Sequence, residues 1–165
     1  MTVAALAAQT APEMLFTMGL PGAGKSTSLV TLGYYDTHTP IDPDAIKATH
    51  PDYDPKNPGA LHAWSANVAE RQFLTACASG EGNFIIDGTG TNSDRMIRRM
   101  RQAQAMGFRC TLLYVRVALA TAIERNANRE RVVPVEIIRS KALDIATAFE
   151  LVAAASDAVI VHDND

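Results

Sequence analysis

The chain has 165 residues, 47% of them hydrophobic and 20% charged, with a formal net charge of -3. That apolar share argues against wholesale disorder, and no run nears the roughly 18 uninterrupted apolar residues of a membrane-spanning helix. The acidity argues against holding nucleic acid by bulk charge, and the isolated Cys77 and Cys110 speak against a disulfide scaffold or zinc site and for a reducing cytoplasm.

Residues 1–12 read as a flexible tail stopped at Pro12, without the basic n-region of a secretory signal, because the first cation is Lys25. Residues 14–18 are a short apolar run closed by Gly19, the pattern of a buried strand. A helix runs from Lys25 to about Leu32 and stops at Gly33. Residues 39–42 form a short second strand, with Pro40 placing it near an edge. The prolines at 51, 55 and 58 mark a loop, followed by a helix to about Ala78. Phe84-Ile85-Ile86 is the third strand, and Met96, Ile97, Met100 and Ala103 mark a helix ended by Gly107. A fourth strand spans 110–117, helices span 118–128 and 135–155, and a fifth strand spans 158–161. This alternation predicts an α/β fold: a three-layer P-loop NTPase or kinase, its five-stranded, mostly parallel sheet covered by helices on both faces. Residues 13–165 read as a single domain.

Gly19-Leu20-Pro21-Gly22-Ala23-Gly24-Lys25-Ser26 matches GxxxxGK[ST] in full, with a strand before it and a helix after it. Glycines let successive N–H groups turn inward around phosphate oxygens, and the helix start adds its positive dipole end. Gly19, Pro21, Gly22, Ala23, Gly24, Lys25, Ser26 and Thr27 are therefore expected around the triphosphate of ATP. Lys25 reaches the β- and γ-phosphates and the Ser26 hydroxyl ligates Mg²⁺. The guanine-reading NKxD of a GTPase switch is missing, which favours a small kinase. Ile41-Asp42-Pro43-Asp44 follows the second strand, on the side of an open sheet where ligands bind. Asp42 or Asp44 can serve there as the carboxylate that takes the acceptor proton; Asp44 can equally cap the helix starting at Ala45.

Asp42-Pro43-Asp44 followed by Lys47 and His50-Pro51-Asp52-Tyr53 resembles the zeta toxin family of P-loop kinases. Gly82-Asn83-Phe84-Ile85-Ile86-Asp87-Gly88-Thr89-Gly90 and the stretch from Glu124-Arg125 to Arg131-Val132-Val133-Pro134 are similar to further segments of that family. The likeness covers about residues 14 to 140. It implies phosphorylation of a hydroxyl on a UDP-amino sugar, with an antitoxin protein as a possible partner. It also implies that Asp44 is the general base, that Asp42, Thr89 and His50 hold the acceptor, and that Asp87 binds the acceptor or orders water around Mg²⁺. Asp87 stands where the family's best-known members have Glu. Arg131 is the leading lid arginine over the γ-phosphate, with Arg129, Arg125 and Arg139 as substitutes, and Arg125 is also assigned to the nucleotide.

Three remaining features carry structural expectations. Arg95, Arg98, Arg99 and Arg101 read as the wet side of an amphipathic helix, Trp64 as a core residue, and residues 162–165 as a frayed end. A kinase acting on a polynucleotide 5′ end or a nucleoside is the alternative within the enzyme class. A degenerate ATP-binding interaction module is the alternative outside it.

Overall fold

The apolar run at residues 14–18 becomes the centre of the sheet. The computed structural model describes residues 11–165. Its elements are β1 (Glu13–Met18), α1 (Lys25–Thr31), β2 (Thr39–Ile41), α2 (Pro43–Ala48), α3 (His62–Ser79), β3 (Phe84–Ile86), α4 (Ser93–Ala105), β4 (Arg109–Arg116), α5 (Leu119–Ala127), α6 (Val135–Ala155) and β5 (Ala158–Asp163). Short 3-10 turns at Tyr34–Asp36 and Pro58–Leu61 lead into β2 and α3. The strands lie in the order β2-β3-β1-β4-β5, and the sheet is parallel throughout.

β1 pairs with β3 on one side and β4 on the other, so both its edges are taken, and helices cover both faces of the sheet there. Met14, Leu15, Phe16 and Met18 are accordingly fully buried, without the in–out alternation of a half-exposed strand. From β1 the chain steps across β3 to β2, whereas every later crossover steps the other way. Right-handed connections therefore place α1 on one face and α3, α4 and α6 on the other. Met96, Met100 and Ala103 of α4 join β1, β3 and β4 in one core with Ile138, Ile145, Ala148 and Val152 of α6.

The expected tail lies outside the described residues except for Ala11 and Pro12. The Pro12 carbonyl already accepts the Arg109 N–H at 2.8 Å. The far end differs from the frayed terminus expected. β5 continues to Asp163, whose carboxylate takes two hydrogen bonds from Arg116 at 2.6 and 2.9 Å. Asp165 Oδ1 then accepts the Ala118 N–H at 2.8 Å. No described helix is long and apolar enough to cross a membrane.

Candidate active site

All five strands are parallel, so the loops that follow β1, β2 and β3 emerge at the same edge. This brings together the glycine-rich segment, Asp42 and Asp44, and Asp87. Gly22 and Gly24 adopt φ of +85° and +83°, a region closed to most side chains. Ala23 N–H donates to Leu20 O at 3.0 Å, and Gly19 N–H donates to Thr89 O at 3.1 Å, which ties the β1 loop to the β3 loop. Lys25 Nζ donates to the carbonyls of Gly19 and Leu20 at 2.9 and 3.2 Å. Burial pushes the Lys25 amine below its usual value, with Asp87 and Asp44 opposing and Arg129 and Lys141 adding to the fall. Asp87, Asp44, Arg129 and Lys141 thus all lie close enough to Lys25 for their charges to act on its amine. Ser26 and Thr27 are exposed beside it in the first turn of α1, where backbone N–H groups have no partner within the helix. A left-handed glycine cradle, a lysine at its mouth and an exposed hydroxyl suit a triphosphate and its Mg²⁺. Pro21 and Ala23 are buried and shape the loop from behind.

The two carboxylates after β2 divide their tasks differently from the capping reading of Asp44. α2 starts at the fixed-φ Pro43, two residues earlier than Ala45, and the Asp42 side chain is its N-cap, accepting the Asp44 N–H at 2.8 Å. Asp44 falls in the first turn, free of capping. Its carboxylate meets Arg131 Nη1 at 2.5 Å and lies 3.7 Å from Lys47 Nζ. Burial would raise the Asp44 carboxyl, but Arg131 outweighs it, helped by Lys47 and Arg129, and holds it below the usual carboxylate range. Burial and then the Asp87 charge push Asp42 the other way, above that range.

Asp87 ends β3 and accepts a hydrogen bond from the buried Thr17 hydroxyl at 2.5 Å; that hydroxyl also accepts the Gly88 N–H at 3.0 Å. His50 is committed locally: its Nδ1 accepts the Asp52 N–H at 3.1 Å, and its ring meets Trp64 edge-on at 4.6 Å. Trp64 is 36% exposed, not a core residue; its ring packs on His50, just past the end of α2, instead of under the sheet. Arg129 and Arg139 are exposed. Arg125 donates to the Asn164 carbonyl at 2.6 Å, and the Asn164 amide donates to Ala23 O at 2.8 Å, so the segment after β5 clasps the phosphate loop.

Three participants escape sequence reasoning. Lys141 of α6 extends to the hydroxyls of Thr89 and Thr91 at 3.4 and 3.5 Å. Asn126 of α5 is buried and holds both Val133 N–H and Val133 C=O, at 3.0 and 2.8 Å, fixing the loop that carries Arg131. Lys47 is 1% exposed, a position nobody assigns to lysine from sequence. The only signal was spacing: Lys47 stands three residues after Asp44, one helical turn away.

Four arginines expected on the wet side of α4 behave unequally. Arg98 and Arg101 are exposed, whereas Arg99 folds over the Phe73 ring at 5.2 Å and pairs with Glu70 of α3. Arg95, Arg98 and Arg99 line a cleft of about 260 Å³ with Ala66, Asn67 and Glu70. Trp64 and Arg71 line an adjoining hollow that shares Asn67 and Glu70.

This fold is similar to that of solved proteins of diverse activity. A protein of the PezAT chromosomal toxin–antitoxin system of Streptococcus pneumoniae superposes with a TM-score of 0.70 at 18% identity, over 94% of this chain and 70% of that one. The AvrRxo1-ORF1:-ORF2 complex gives 0.72 at 13% identity over 92% of this chain, which spans only 55% of that chain. Shikimate kinase from Acinetobacter baumannii, in complex with shikimate, gives 0.53 at 13% identity over 90% and 83%. No curated protein sequence matches. The model of the AAA_33 family, an AAA domain, matches residues 14–152, and the chain belongs to that family.

Proposed function

We propose that the protein is an ATP- and Mg²⁺-dependent kinase of zeta toxin type, made of one domain over residues 13–165 and working in the cytoplasm, that phosphorylates a hydroxyl of a small acceptor, a UDP-amino sugar or similar metabolite. The observation that carries this reading is the meeting of Lys25, Asp44 and Asp87 at one sheet edge, with Arg131 on the Asp44 carboxylate. The kinases and toxin–antitoxin proteins that share the fold support it.

ATP would supply the γ-phosphoryl group, and Mg²⁺ held by the Ser26 hydroxyl would neutralise phosphate charge there. The glycine loop and Lys25 hold the phosphates, and the Ser26 hydroxyl ligates the cation. Asp44 takes the proton of the acceptor hydroxyl as the new O–P bond forms and the bond to the β-phosphate oxygen breaks, leaving ADP. Arg131, with Arg129 and Arg125 nearby, stabilises the charge spread over the transferring group. Asp87, held by Thr17, orders water around the cation or holds the acceptor beside Thr89, Asp42 and His50. The α3–α4 cleft, with three arginines and an exposed tryptophan, suits an acceptor that carries phosphates and a base. A polynucleotide 5′ end shares that chemistry and is the second reading. An antitoxin protein is a partner consistent with the toxin–antitoxin likeness.

Labelled-phosphate transfer to a UDP-sugar panel and to an oligonucleotide separates the acceptors. Asp44→Asn is expected to abolish transfer while nucleotide binding persists; undiminished turnover would sink the base assignment. ATP binding without transfer to any acceptor in a metabolite extract would refute the kinase reading.

A further inference from the structure

Among the described residues, two buried side-chain nitrogens lack a hydrogen-bond partner, Lys47 Nζ and Arg131 Nε, and both belong to neighbours of Asp44. Such orphans are uncommon, because a buried donor left unpaired costs about 1–3 kcal/mol. Neither is an isolated defect of packing: the two cations flank one carboxylate from different elements. Lys47 rises from the same helix as Asp44, three residues on, and is fixed by its own burial. Arg131 hangs on the α5–α6 loop and reaches Asp44 with Nη1 alone, leaving Nε unused.

We propose that Asp44 has two alternating cationic partners: Arg131 when the α5–α6 loop lies over it, and Lys47 once a bound nucleotide has drawn Arg131 onto its phosphates. Lys47 is then the positioning residue of the general base. The inference rests on the reading of Arg131 as the γ-phosphate arginine.

Each orphan is satisfied by that exchange. Arg131 turns its Nε and an Nη toward phosphoryl oxygens, the two-pronged edge a guanidinium uses on phosphate. Lys47 Nζ stands 3.7 Å from Asp44 Oδ1, and closing to a hydrogen bond of about 2.8 Å takes less than an ångström of side-chain travel. Arg131 can leave because its ion pair is half open to solvent, with 61% of the Asp44 side chain exposed. Lys47 stays because it is sealed beneath. The general base is therefore covered by Arg131 until nucleotide arrives, and is then held by a partner that does not block the acceptor.

Calorimetry with β,γ-methylene ATP and Mg²⁺ on the native chain and four variants tests this without an acceptor. Asp44→Asn releases Arg131 in advance, so affinity is expected to rise about threefold, the scale of one half-exposed ion pair. Lys47→Met leaves Asp44 dependent on Arg131, so affinity falls by a similar factor, and Lys47→Arg restores it. The double variant Asp44→Asn/Lys47→Met is expected to match Asp44→Asn alone, because Lys47 acts only through Asp44. An unchanged or weakened Asp44→Asn overturns the proposal, as does a Lys47→Met loss that persists in the Asp44→Asn background, which would mark Lys47 as merely structural. Should Lys47→Met not fold, Lys47→Gln replaces it in the cycle. A protein that binds no nucleotide overturns both this inference and the kinase reading. A cycle that closes as expected while no acceptor is phosphorylated supports the exchange and refutes only the acceptor assignment.

Discussion

Alanine at Gly22 should be the most damaging single-methyl addition in the phosphate loop, and the reason lies across the chain in α5. A Cβ built on Gly22 would stand 2.2 Å from the Ala122 carbonyl oxygen and 3.1 Å from its carbon. Ordinary contacts are about 3.5 Å, so loop or helix must shift by about 1.3 Å. The obstacle is helix backbone and cannot swing aside. The residue must also hold φ of +85°, which costs an L-residue about 1–2 kcal/mol before any clash. Together these give at least about 3 kcal/mol. Gly24 has nearly the same φ, +83°, yet its Cβ would meet only the Asn164 amide nitrogen, at 2.4 Å. That side chain can rotate away for the loss of one hydrogen bond, about 1 kcal/mol, so Gly24→Ala should cost about 2–3 kcal/mol in all. Urea unfolding of both variants, with Asn164→Ala alone and combined with Gly24→Ala, provides the measurement. Gly22→Ala is expected to be worse by 1 kcal/mol or more, about the margin between an immovable and a movable obstacle. Asn164→Ala is expected to add little to Gly24→Ala, since the bond it removes is already broken. Equal losses for the two glycines would refute the argument from α5.

Further expectations concern groups around the site. Asp42→Ala should cost about 1 kcal/mol through loss of the α2 cap, whereas Asp42→Asn keeps the cap and relieves a buried charge. Because the Asp42 carboxyl titrates above its unfolded value, its favourable contribution is present at low pH and is lost as pH rises through the folded value. Asp42→Asn should therefore gain stability over the native chain near pH 7 and lose that advantage near pH 4, read by urea melts at both. Asp44 has the opposite sign: its ion-pair stabilisation holds above the ordinary carboxylate range and disappears as pH falls below it. The difference between native and Asp44→Asn chains should then shrink on acidification. Asn126→Ala leaves Val133 N–H and C=O without their partner and should cost about 2–4 kcal/mol, with faster proteolysis of residues 128–134. Cys77 and Cys110 should resist iodoacetamide in the folded protein at pH 8. Burial, reinforced by Asp157, pushes the Cys110 thiol up to about 12, and burial raises Cys77 as well.

What the sequence could disclose was set by the range of the interactions involved. The phosphate loop and the alternation of strands and helices are local patterns, and residues 19–26 and all five strands were legible from them. Assignments that turn on a single step of chain were not. Whether Asp42 or Asp44 caps α2 depends on the helix starting at Pro43, two residues before Ala45, and either carboxylate satisfies the bare spacing. Trp64 lies on the apolar stripe of α3, but the stripe has phase without depth, and its ring meets His50 and solvent instead of the core. Lys47 reads as a solvent-facing lysine in any window that omits α3. The contacts of Lys141 with Thr89 and of Asn164 with Ala23 bridge elements whose neighbourhood exists only once the sheet order is known.

The clasp of the phosphate loop by the segment after β5 has a consequence for biogenesis. Asn164 and Ala23 are 141 positions apart, and the central strand must wait for β3 and β4 before either of its edges is covered. A ribosome therefore exposes the glycine loop 141 positions before the residue that braces its backbone. Loop-closure entropy of this kind delays assembly far more than it weakens the finished molecule. Nascent chains stalled before residue 158 should consequently retain little affinity for nucleotide, which would couple ligand capture to the emergence of β5 and the segment after it through topology alone.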